Sequence, residues 1–260
     1  MFIALTIAGS DSGGGAGIQA DLKTFHQLGV YGTSVITAIT AQNTVGVTQW
    51  EAVSAEMVRA QLDAVVTDLR PRAFKTGMLA NAGIVREIAS AAREHDLAGY
   101  VLDPVMVATS GDVLIERDAV AAIREQLLPM CALVTPNAHE AALLTGLDVE
   151  SESDLARAAE VLVRELGAGA ALVKGGHINT GQDMVDVLFD GSAVAFRNSR
   201  VETTSTHGTG CTLSAAVAAE LAKGSDLRTA CARAVDFVHR AIEAAPGLGA
   251  GHGPLNHFVR

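Results

Sequence analysis

The chain has 260 residues, of which 49% are hydrophobic and 18% are charged. This composition is typical of a globular protein with a sizeable core and excludes a disordered chain; the length fits one α/β domain, or at most two small ones. The net charge of −10, without any cluster of Lys and Arg, argues against a nucleic-acid partner.

Cysteine usage and the N-terminus indicate where the protein works. Cys131, Cys211 and Cys231 are widely spaced and form no CxxC motif, which argues against a disulfide framework and for a reducing compartment. No Lys or Arg precedes Lys23, and the N-terminus lacks a signal-peptide layout. The longest uncharged stretch, 24–50, is rich in Thr, Gln and Gly, so it is not a membrane span. We therefore expect a cytoplasmic protein without membrane contact.

The first half of the chain alternates β-rich apolar runs with helix-like segments. Strands are predicted at 2–8, 33–40, 73–76 and 100–103, and helices at 18–28, 55–69 and 82–95. The helix at 18–28 has apolar residues on one face, and Asn81 can cap the helix that follows it. A Gly/Ser loop at 9–17 joins the first strand to the first helix.

The second half repeats this rhythm. Strands are predicted at 132–135 and 170–174, helices at 119–128, 151–166, 209–222 and 227–244, and a hairpin at 185–189 and 193–196. Asp190-Gly191 is the turn signal of that hairpin. Strands that alternate with helices predict a mostly parallel sheet covered on both faces, and the hairpin predicts a small antiparallel addition at one side.

Several predicted strands end at a polar residue. These residues are Ser10, Gln42, Asp103, Thr135 and Lys174. In open α/β sheets the carboxyl ends of the strands line the ligand crevice. The sequence therefore places its unusual side chains where a binding site is expected.

The segment 206–211 places glycines directly before a good helix former. Backbone N–H groups at a helix start favour an anion, and a phosphoryl group in transfer needs such donors. Cys211 would sit in the first turn, where the pKa of a thiol tends to fall. The alternative is a Gly-rich turn with a small packed cysteine.

Asn137 and Glu140 are three residues apart at a predicted helix start. On one face of the helix they can hold a hydrated Mg²⁺, directly or through water. The alternative is an Asn N-cap with a capping-box Glu, which fits Asn137 and Glu140 well and which the two residues taken alone favour over a metal site.

Lys174 and Asp103 each end a predicted strand. Lys174 stands beside two glycines and can reach phosphates, although a solvated lysine at a sheet edge has the same pattern. Asp103 could support a metal ion, or it could serve the turn at Pro104.

The Gly-rich stretch 9–17 is not a Walker loop, because no GK[ST] sequence follows it. It contains the weak dinucleotide-binding match Gly15-x-Gly17-x-x-Ala20, but it lies too far from the strand end and lacks an acidic residue for a ribose. His139-Glu140 has no second His in the zinc-binding spacing, so neither a nicotinamide cofactor nor zinc is expected.

Taken in order, these segments resemble the ribokinase-like kinases, and in particular the hydroxymethylpyrimidine/phosphomethylpyrimidine kinases of thiamine biosynthesis. The matching stretches are 7–26, 37–45, 75–79, 103–112, 136–141, 173–177, 206–216 and 251–258. The resemblance covers nearly the whole chain, and no motif position departs clearly from the family pattern.

This resemblance implies one ribokinase-like domain over residues 1–260, a three-layer sandwich with a mainly parallel sheet between helices. It also implies a homodimer and two reactions that depend on ATP and Mg²⁺. The first phosphorylates the hydroxymethyl group of 4-amino-5-hydroxymethyl-2-methylpyrimidine, and the second converts the monophosphate to the diphosphate.

The resemblance further implies a role for each motif residue at the site. Gln42 and Met78 contact the pyrimidine, with Asp21 and Val105 near it. An amide can pair with an aminopyrimidine edge, and a thioether is a soft apolar surface for a flat ring. The residues implied for ATP are Lys174, Asn137 and Thr206, those for the metal are Glu140 and Asp103, and those for the anion hole and catalysis are Gly208, Thr209, Gly210 and Cys211.

Many sugar kinases of the superfamily carry Asp at the position of Cys211. We hypothesise that a thiol suits a site with two acceptors. The second acceptor is a phosphate monoester that is already anionic near neutral pH, so it needs no base and a carboxylate would repel it.

Three other functions are alternatives to this one. The nearest is pyridoxal or pyridoxine kinase, whose substrate ring is similar in size and also carries a hydroxymethyl group. A non-catalytic ligand sensor would tolerate loss of Lys174, Glu140 or the glycines at 208 and 210, yet all are present. An NAD-dependent oxidoreductase has only the weak glycine match in its favour.

Overall fold

The computed structural model describes residues 1–106, 116–176, 178 and 183–259. The end of the motif at 103–112 and the His of the motif at 173–177 lie outside the described residues. Ten strands are found in these ranges: β1 (Ile3–Ala8), β2 (Tyr31–Ile36), β3 (Ala38–Gln42), β4 (Val47–Ala52), β5 (Ala73–Thr76), β6 (Tyr100–Leu102), β7 (Leu133–Val134), β8 (Ala171–Lys174), β9 (Asp183–Phe189) and β10 (Ala193–Ser199).

Eight of these strands form the central sheet, in the order β10-β9-β8-β7-β6-β5-β1-β2. The strands from β2 to β8 in this order run parallel, whereas β9 is antiparallel to both of its neighbours. The turn between β9 and β10 lies at Asp190-Gly191, as predicted. The predicted mostly parallel sheet with an antiparallel hairpin at one side is therefore confirmed.

Helices cover both faces of this sheet. They are α1 (Gly17–Gln27), α2 (Ala55–Asp68), α3 (Ala82–Glu94), α4 (Arg117–Ala122), α5 (Ala138–Thr145), α6 (Glu152–Arg164), α7 (Thr209–Lys223) and α8 (Leu227–Glu243). Helices α2 to α6 contribute to one buried apolar cluster, and α1, α7 and α8 contribute to the other. The predicted three-layer architecture is thus also confirmed.

The pleat of the strands explains how one sheet serves two cores. In β1, Leu5 and Ile7 belong to the cluster under α2 and α3, while Ala4 belongs to the cluster under α7. Successive strand residues point to opposite faces, so a central strand must be apolar throughout. Helix α7 is rich in buried alanines, which allow it to pack closely across β1, β5 and β6.

The structure corrects the prediction of one strand at 33–40. Instead β2 and β3 are separated at Thr37, whose hydroxyl donates to the Met78 carbonyl oxygen over 2.6 Å. Strand β3 then leaves the main sheet and pairs with β4, which the sequence did not predict, in a separate hairpin. The break depends on a contact between residues 41 positions apart, so local pattern could not locate it.

The predicted helix at 119–128 is also different. After α4 the chain continues as a π-helical turn at Ile123–Leu127 and a 3₁₀ turn at Leu128–Met130. Pro129 has no N–H to donate, which ends the regular hydrogen-bond pattern there. None of the helices in the described ranges has the length and apolar character needed to cross a membrane.

Candidate functional site

A cleft of about 760 Å³ lies at the carboxyl ends of the parallel strands. It brings together nearly all of the residues that the sequence singled out. The lining includes Gln42, Met78, Asp103, Val105, Asn137, Glu140, Lys174, Thr206, Gly208, Thr209, Gly210 and Cys211. A volume of this size is typical of small-molecule sites, and its place at the strand ends follows from the fold.

The start of helix α7 forms one wall of this cleft. Gly208 is the N-cap residue, with a left-handed φ of 83°, and no side chain caps the helix. The first-turn N–H groups have no partner within the helix and carry its positive dipole end. This end of α7 can therefore accept an anionic group, as the sequence predicted.

Two features require glycine at position 208: the left-handed φ and a close approach of the neighbouring backbone. A Cβ atom at this position would lie 1.9 Å from the Gly15 carbonyl oxygen. The helix start is thus packed directly against the Gly-rich loop between β1 and α1. Only glycine permits both the conformation and the contact.

Gly208→Ala is expected to destabilise the fold by about 3 kcal/mol, because it adds an overpacked contact to a left-handed conformation. Gly224→Ala is the matched control: its φ is 93°, but a Cβ there meets nothing within 4 Å. We expect it to cost only about 1 kcal/mol. Urea unfolding of both variants measures the difference, and equal losses would contradict the packing argument.

Lys174 and Asp103 form a buried ion pair beside this helix start. The Lys174 Nζ lies 3.2 Å from Asp103 Oδ1, and a Cβ at Gly210 would lie 3.0 Å from the same Nζ. Burial alone would lower the pKa of Lys174, but Asp103 and Glu140 outweigh it and raise that pKa. Burial raises the pKa of Asp103. The nearby charges of Lys174 and Lys75, together with the hydrogen bonds to the carboxylate, lower it further than burial raises it, so the pKa of Asp103 is below its ordinary value. Both groups are therefore charged.

This pair settles two alternatives left open by the sequence. Strand β8 lies inside the sheet, between β7 and β9, and the Lys174 side chain is only 14% exposed. Lys174 is thus not a solvated edge residue. Asp103 accepts hydrogen bonds from the hydroxyls of Thr135 and Ser214 over 3.3 and 3.2 Å, so it belongs to a buried polar network and not only to a turn.

Asn137 and Glu140 form a complete capping box at the start of α5. The Asn137 side chain accepts from the Glu140 N–H over 2.9 Å, and the Glu140 carboxylate accepts from the Asn137 N–H over 2.8 Å. Burial raises the pKa of Glu140 to about 7. The capping alternative is confirmed, and it leaves a buried carboxylate at the cleft beside Lys174.

This donor set suits one kind of metal site. No cluster of three or more His, Cys, Asp or Glu that could hold a metal occurs in the described part of the chain. A Mg²⁺ that keeps most of its waters and is held by substrate phosphates needs only one or two carboxylates. Glu140 and Asp103, both buried at the cleft, fit such an ion.

Cys211 lies in the first turn of α7 and is partly exposed at the cleft, although protein atoms surround most of it. Burial raises the pKa of its thiol to about 12, and the nearby Lys75 offsets only part of that rise. The sequence-based expectation of a lowered pKa is therefore wrong. Desolvation and the charges of Asp21 and Asp103 outweigh the helix start.

Iodoacetamide is expected to modify Cys211 at pH 7.5 about 100-fold more slowly than a free cysteine peptide. The thiolate fraction is about 10³-fold smaller, and the higher intrinsic nucleophilicity of a high-pKa thiolate recovers part of that factor. The rate should rise about tenfold with each pH unit. Peptide mass mapping over time measures it, and a rate equal to that of the free peptide would contradict the raised pKa.

Asp21 does not reach the cleft. It is fully buried, accepts the Thr6 hydroxyl over 2.6 Å and pairs with Lys75, whose Nζ lies 3.1 Å from it. The structure thus places Asp21 outside the cleft lining, although the resemblance implied that it lies near the substrate. Lys75 is equally buried and was not recognised from the sequence, because lysine is rarely buried without a partner.

Another part of the cleft lining combines apolar side chains with the amide of Gln42. Met78 packs with Ala38, Val105 and Trp50 in a small cluster separate from the two main cores. A Cβ at Gly9 would lie 3.0 Å from the Met78 sulfur, so the chain approaches this side chain closely. Gln42 lines the same cleft. The two residues implied for the ring therefore share one pocket.

The Gly-rich loop has a role different from dinucleotide binding. The carboxylate of Asp11 accepts from the N–H groups of Gly13, Gly15 and Ala16 over 2.8, 2.9 and 2.8 Å. These are the donors that would face a pyrophosphate in a dinucleotide site. Since Asp11 already engages them, the weak glycine match does not describe a cofactor site.

Other lining residues were missed by sequence reasoning. Asp186 of β9 accepts from the Gly175 N–H over 3.0 Å, and burial raises the pKa of its carboxyl. Val235, Val238 and Ile242 give α8 an apolar strip at the cleft. Their spacing is that of ordinary core residues, so nothing local distinguishes them.

Comparisons with known proteins find relatives over nearly the whole chain. The family model described as phosphomethylpyrimidine kinase matches residues 11–256. A hydroxymethylpyrimidine/phosphomethylpyrimidine kinase from Rhizobium meliloti (strain 1021) is 57% identical over 99% of this chain and 97% of its own length.

Solved structures give the same result for the fold. A Bacillus subtilis pyridoxal kinase in complex with ADP has a TM-score of 0.91 at 38% identity and covers 99% of this chain and 97% of its own. A phosphomethylpyrimidine kinase from Clostridium difficile 630 has a TM-score of 0.82 at 38% identity, over 93% and 100% of the two chains. With matches of this extent, the chain belongs to the phosphomethylpyrimidine kinase family and has its ribokinase-like fold.

Proposed function

We propose that this chain transfers the γ-phosphoryl group of ATP to the hydroxymethyl group of 4-amino-5-hydroxymethyl-2-methylpyrimidine, and then a second one to the resulting monophosphate. The names of its relatives support this activity. One observation carries it: the Lys174 ammonium lies against the start of α7, in the same cleft as Cys211, Gln42 and Met78.

In this proposal the phosphates of ATP lie between α7 and β8. The amides of Gly208 to Cys211, with Thr209 and Gly210 between them, face the transferring group. Lys174 neutralises charge on its oxygens, and Asn137 and Thr206 lie along the triphosphate. Such preorganised donors supply most of the catalysis of phosphoryl transfer, since the protein has little covalent chemistry to perform.

Glu140 and Asp103 would hold Mg²⁺, in part through water. The ion supplies charge neutralisation between the phosphates when it is bound. Asp103 also keeps the Lys174 ammonium in place through their ion pair. In this proposal the charged residues Lys174, Asp103 and Glu140 therefore act together on the phosphates and the metal ion.

The pyrimidine would lie on Met78 and Val105, with its amino edge at Gln42. This places a flat ring against apolar side chains and its polar edge against the amide, as expected for a small-molecule pocket. The hydroxymethyl group then faces Cys211. A thiol with a pKa of about 12 is neutral here, which suits an anionic second acceptor.

Cys211→Asp is expected to slow the second phosphorylation at least about tenfold more than the first, because a carboxylate repels the phosphate of the monophosphate. Cys211→Asn is the matched control, because asparagine has the shape of aspartate but no charge. It should leave the ratio of the two rates near that of the unmodified protein. The two steps are measured separately from purified alcohol and monophosphate. A second step that suffers no more than the first would refute the explanation.

Pyridoxal kinase is the second candidate, because solved structures of that name share the fold at a TM-score of 0.91. The pairing of Gln42 with Met78 favours the pyrimidine. ADP release assayed with each alcohol in turn decides between them: we expect a kcat/KM at least tenfold higher for the pyrimidine. The reverse ratio would assign the chain to pyridoxal, and no ADP release with either alcohol would leave only a ligand sensor.

We also propose that residues 1–260 act as one domain in a cytoplasmic homodimer. Both buried clusters draw on residues from the two halves of the chain, which supports a single domain. The three cysteines are free thiols, which supports a reducing compartment. Ile39 of β3 is 60% exposed and offers apolar surface to a second copy; sedimentation measures the mass directly.

A further inference from the structure

We propose that His207 is a positioning residue that fixes the orientation of the Gln42 carboxamide, and thereby the way round in which a ring edge with an amino donor and a nitrogen acceptor binds. This inference rests on the proposed function, in which Gln42 meets the substrate ring. It goes beyond that function because His207 itself has been given no role.

His207 is held in one place by the loop beneath it. Its Nε2 lies 2.8 Å from Asp11 Oδ2, and its backbone N–H donates to the Gly253 carbonyl oxygen over 3.1 Å. A Cβ at Gly15 would lie 2.5 Å from the His207 ring, so the ring has no room to turn toward the loop. The side chain is 8% exposed.

The carboxylate of Asp11 determines which ring nitrogen of His207 carries a hydrogen. The hydrogen bonds from His207 and from the Ala16 and Gly13 N–H groups outweigh the effect of burial and lower the pKa of Asp11. Asp11 is therefore an ionised carboxylate, which only accepts hydrogen bonds. The His207 Nε2 must accordingly carry a hydrogen and donate it to Asp11.

Gln42 lies directly beyond that atom. In the structure its Nε2 lies 3.4 Å from His207 Nε2, and its Oε1 lies 3.2 Å from the Thr40 hydroxyl. Thr40 donates its single hydroxyl hydrogen to the Ser10 carbonyl oxygen over 2.8 Å, so toward Gln42 it can only accept. The hydrogen of His207 Nε2 is donated to Asp11, so this N–H group presents only its positive dipole toward the amide, whereas the Thr40 hydroxyl presents an acceptor.

These two neighbours favour a single orientation of the carboxamide. With the carboxamide rotated by 180° from the placement above, its NH₂ group donates to the Thr40 hydroxyl and its oxygen faces the positive His207 N–H; without the rotation, NH₂ lies against an N–H group and the amide oxygen receives no hydrogen from Thr40. The oxygen and nitrogen of an amide are assigned from such partners and not from shape. The Gln42 backbone cannot compensate, because the Ser12 hydroxyl bonds both its N–H and its carbonyl oxygen over 2.8 Å.

Fixing the amide has a consequence for recognition. A carboxamide offers one acceptor and one donor side by side, and the reversed orientation offers their mirror image. An aminopyrimidine edge pairs with one of these only when the ring lies one way round. His207 therefore helps to keep the amide matched to a ring whose hydroxymethyl group faces Cys211, so its loss is expected to weaken binding of the ring in that orientation.

His207→Leu is expected to raise KM for the pyrimidine alcohol about tenfold, the cost of one misplaced hydrogen-bonding group, with kcat changed less than about twofold. His207→Gln retains an N–H donor toward Asp11 and should restore KM to within about threefold of the unmodified value. His95→Leu is the matched control: it removes another His–Asp pair, 2.7 Å to Asp63, outside the cleft lining, and should leave KM unchanged.

A double-mutant cycle separates positioning from a structural role. In a Gln42→Met background, His207→Leu should raise KM less than about twofold further, because the amide it orients is gone. An equal factor in both backgrounds, or no change of KM in His207→Leu alone, would overturn the proposal.

A spectroscopic measurement tests the same network if the pyrimidine is not the substrate. In ¹⁵N-labelled protein without ligand, the His207 Nε2 should carry the hydrogen, and the Gln42 NH₂ protons should show contacts to Thr40 that disappear in His207→Leu. Contacts from that NH₂ group to the His207 ring instead would overturn the inference, whatever the outcome for the proposed function.

Discussion

Lys174→Met is expected to lower kcat by roughly 10²–10³, as removal of one preorganised charge-stabilising donor typically does. The ammonium lies within reach of both the start of α7 and Asp103. Methionine has a similar volume but no charge, so the phosphoryl group loses its only charged donor among the residues implied for ATP. Steady-state ADP release with saturating pyrimidine alcohol measures the effect.

Lys223→Met is the control for this change. Lys223 lies at the far end of α7 and also pairs with a carboxylate, that of Glu220. It does not line the cleft, so kcat should change less than twofold. If Lys174→Met retained more than a tenth of the unmodified kcat while remaining folded, Lys174 would not have the role proposed for it.

Lys75→Met is expected to destabilise the fold by about 3–5 kcal/mol, because it leaves the Asp21 carboxylate buried without its cation. Both side chains are fully buried, and their nearest charged atoms are 3.1 Å apart. Burial alone would lower the pKa of Lys75, yet the charges of Asp21 and Asp103 raise it overall, so the ammonium stays charged. Urea unfolding at pH 7.5 measures the loss.

The double variant Lys75→Met/Asp21→Asn tests the cause of that loss. Asn is neutral and can still accept from the Thr6 hydroxyl, which now donates to Asp21 over 2.6 Å. We expect the double variant to recover at least half of the lost free energy of unfolding. A double variant as unstable as Lys75→Met would show that packing of the lysine stem, and not the orphaned charge, determines the cost.

Periodicity and capping residues predicted most of the fold correctly. Asn81 and Ser151 cap their helices through their side chains, and Asn137 does so within a capping box. These interactions span only three residues, so the sequence contains all of their determinants. The hairpin of β3 and β4 was missed because its start at Thr37 is determined by a distant strand end.

The site was predictable to the extent that its residues end strands or start helices. Lys174, Asp103 and Gln42 were expected at the crevice for that reason, and all three line it. Asp11 and His207 were not, because they are 196 residues apart and acquire a role only when two loops meet. The raised pKa of Cys211 was missed for a similar reason: burial depends on the whole fold, whereas a helix start can be read locally.

The central claim is that the start of α7 and Lys174 together hold a phosphoryl group during transfer to the pyrimidine. It is tested most directly by mass analysis of the products after the protein is incubated with 4-amino-5-hydroxymethyl-2-methylpyrimidine and Mg-ATP. The expected result is a monophosphate followed by a diphosphate, with neither product formed at a comparable rate by Lys174→Met. A folded, unmodified protein that yields no phosphorylated pyrimidine would contradict the claim.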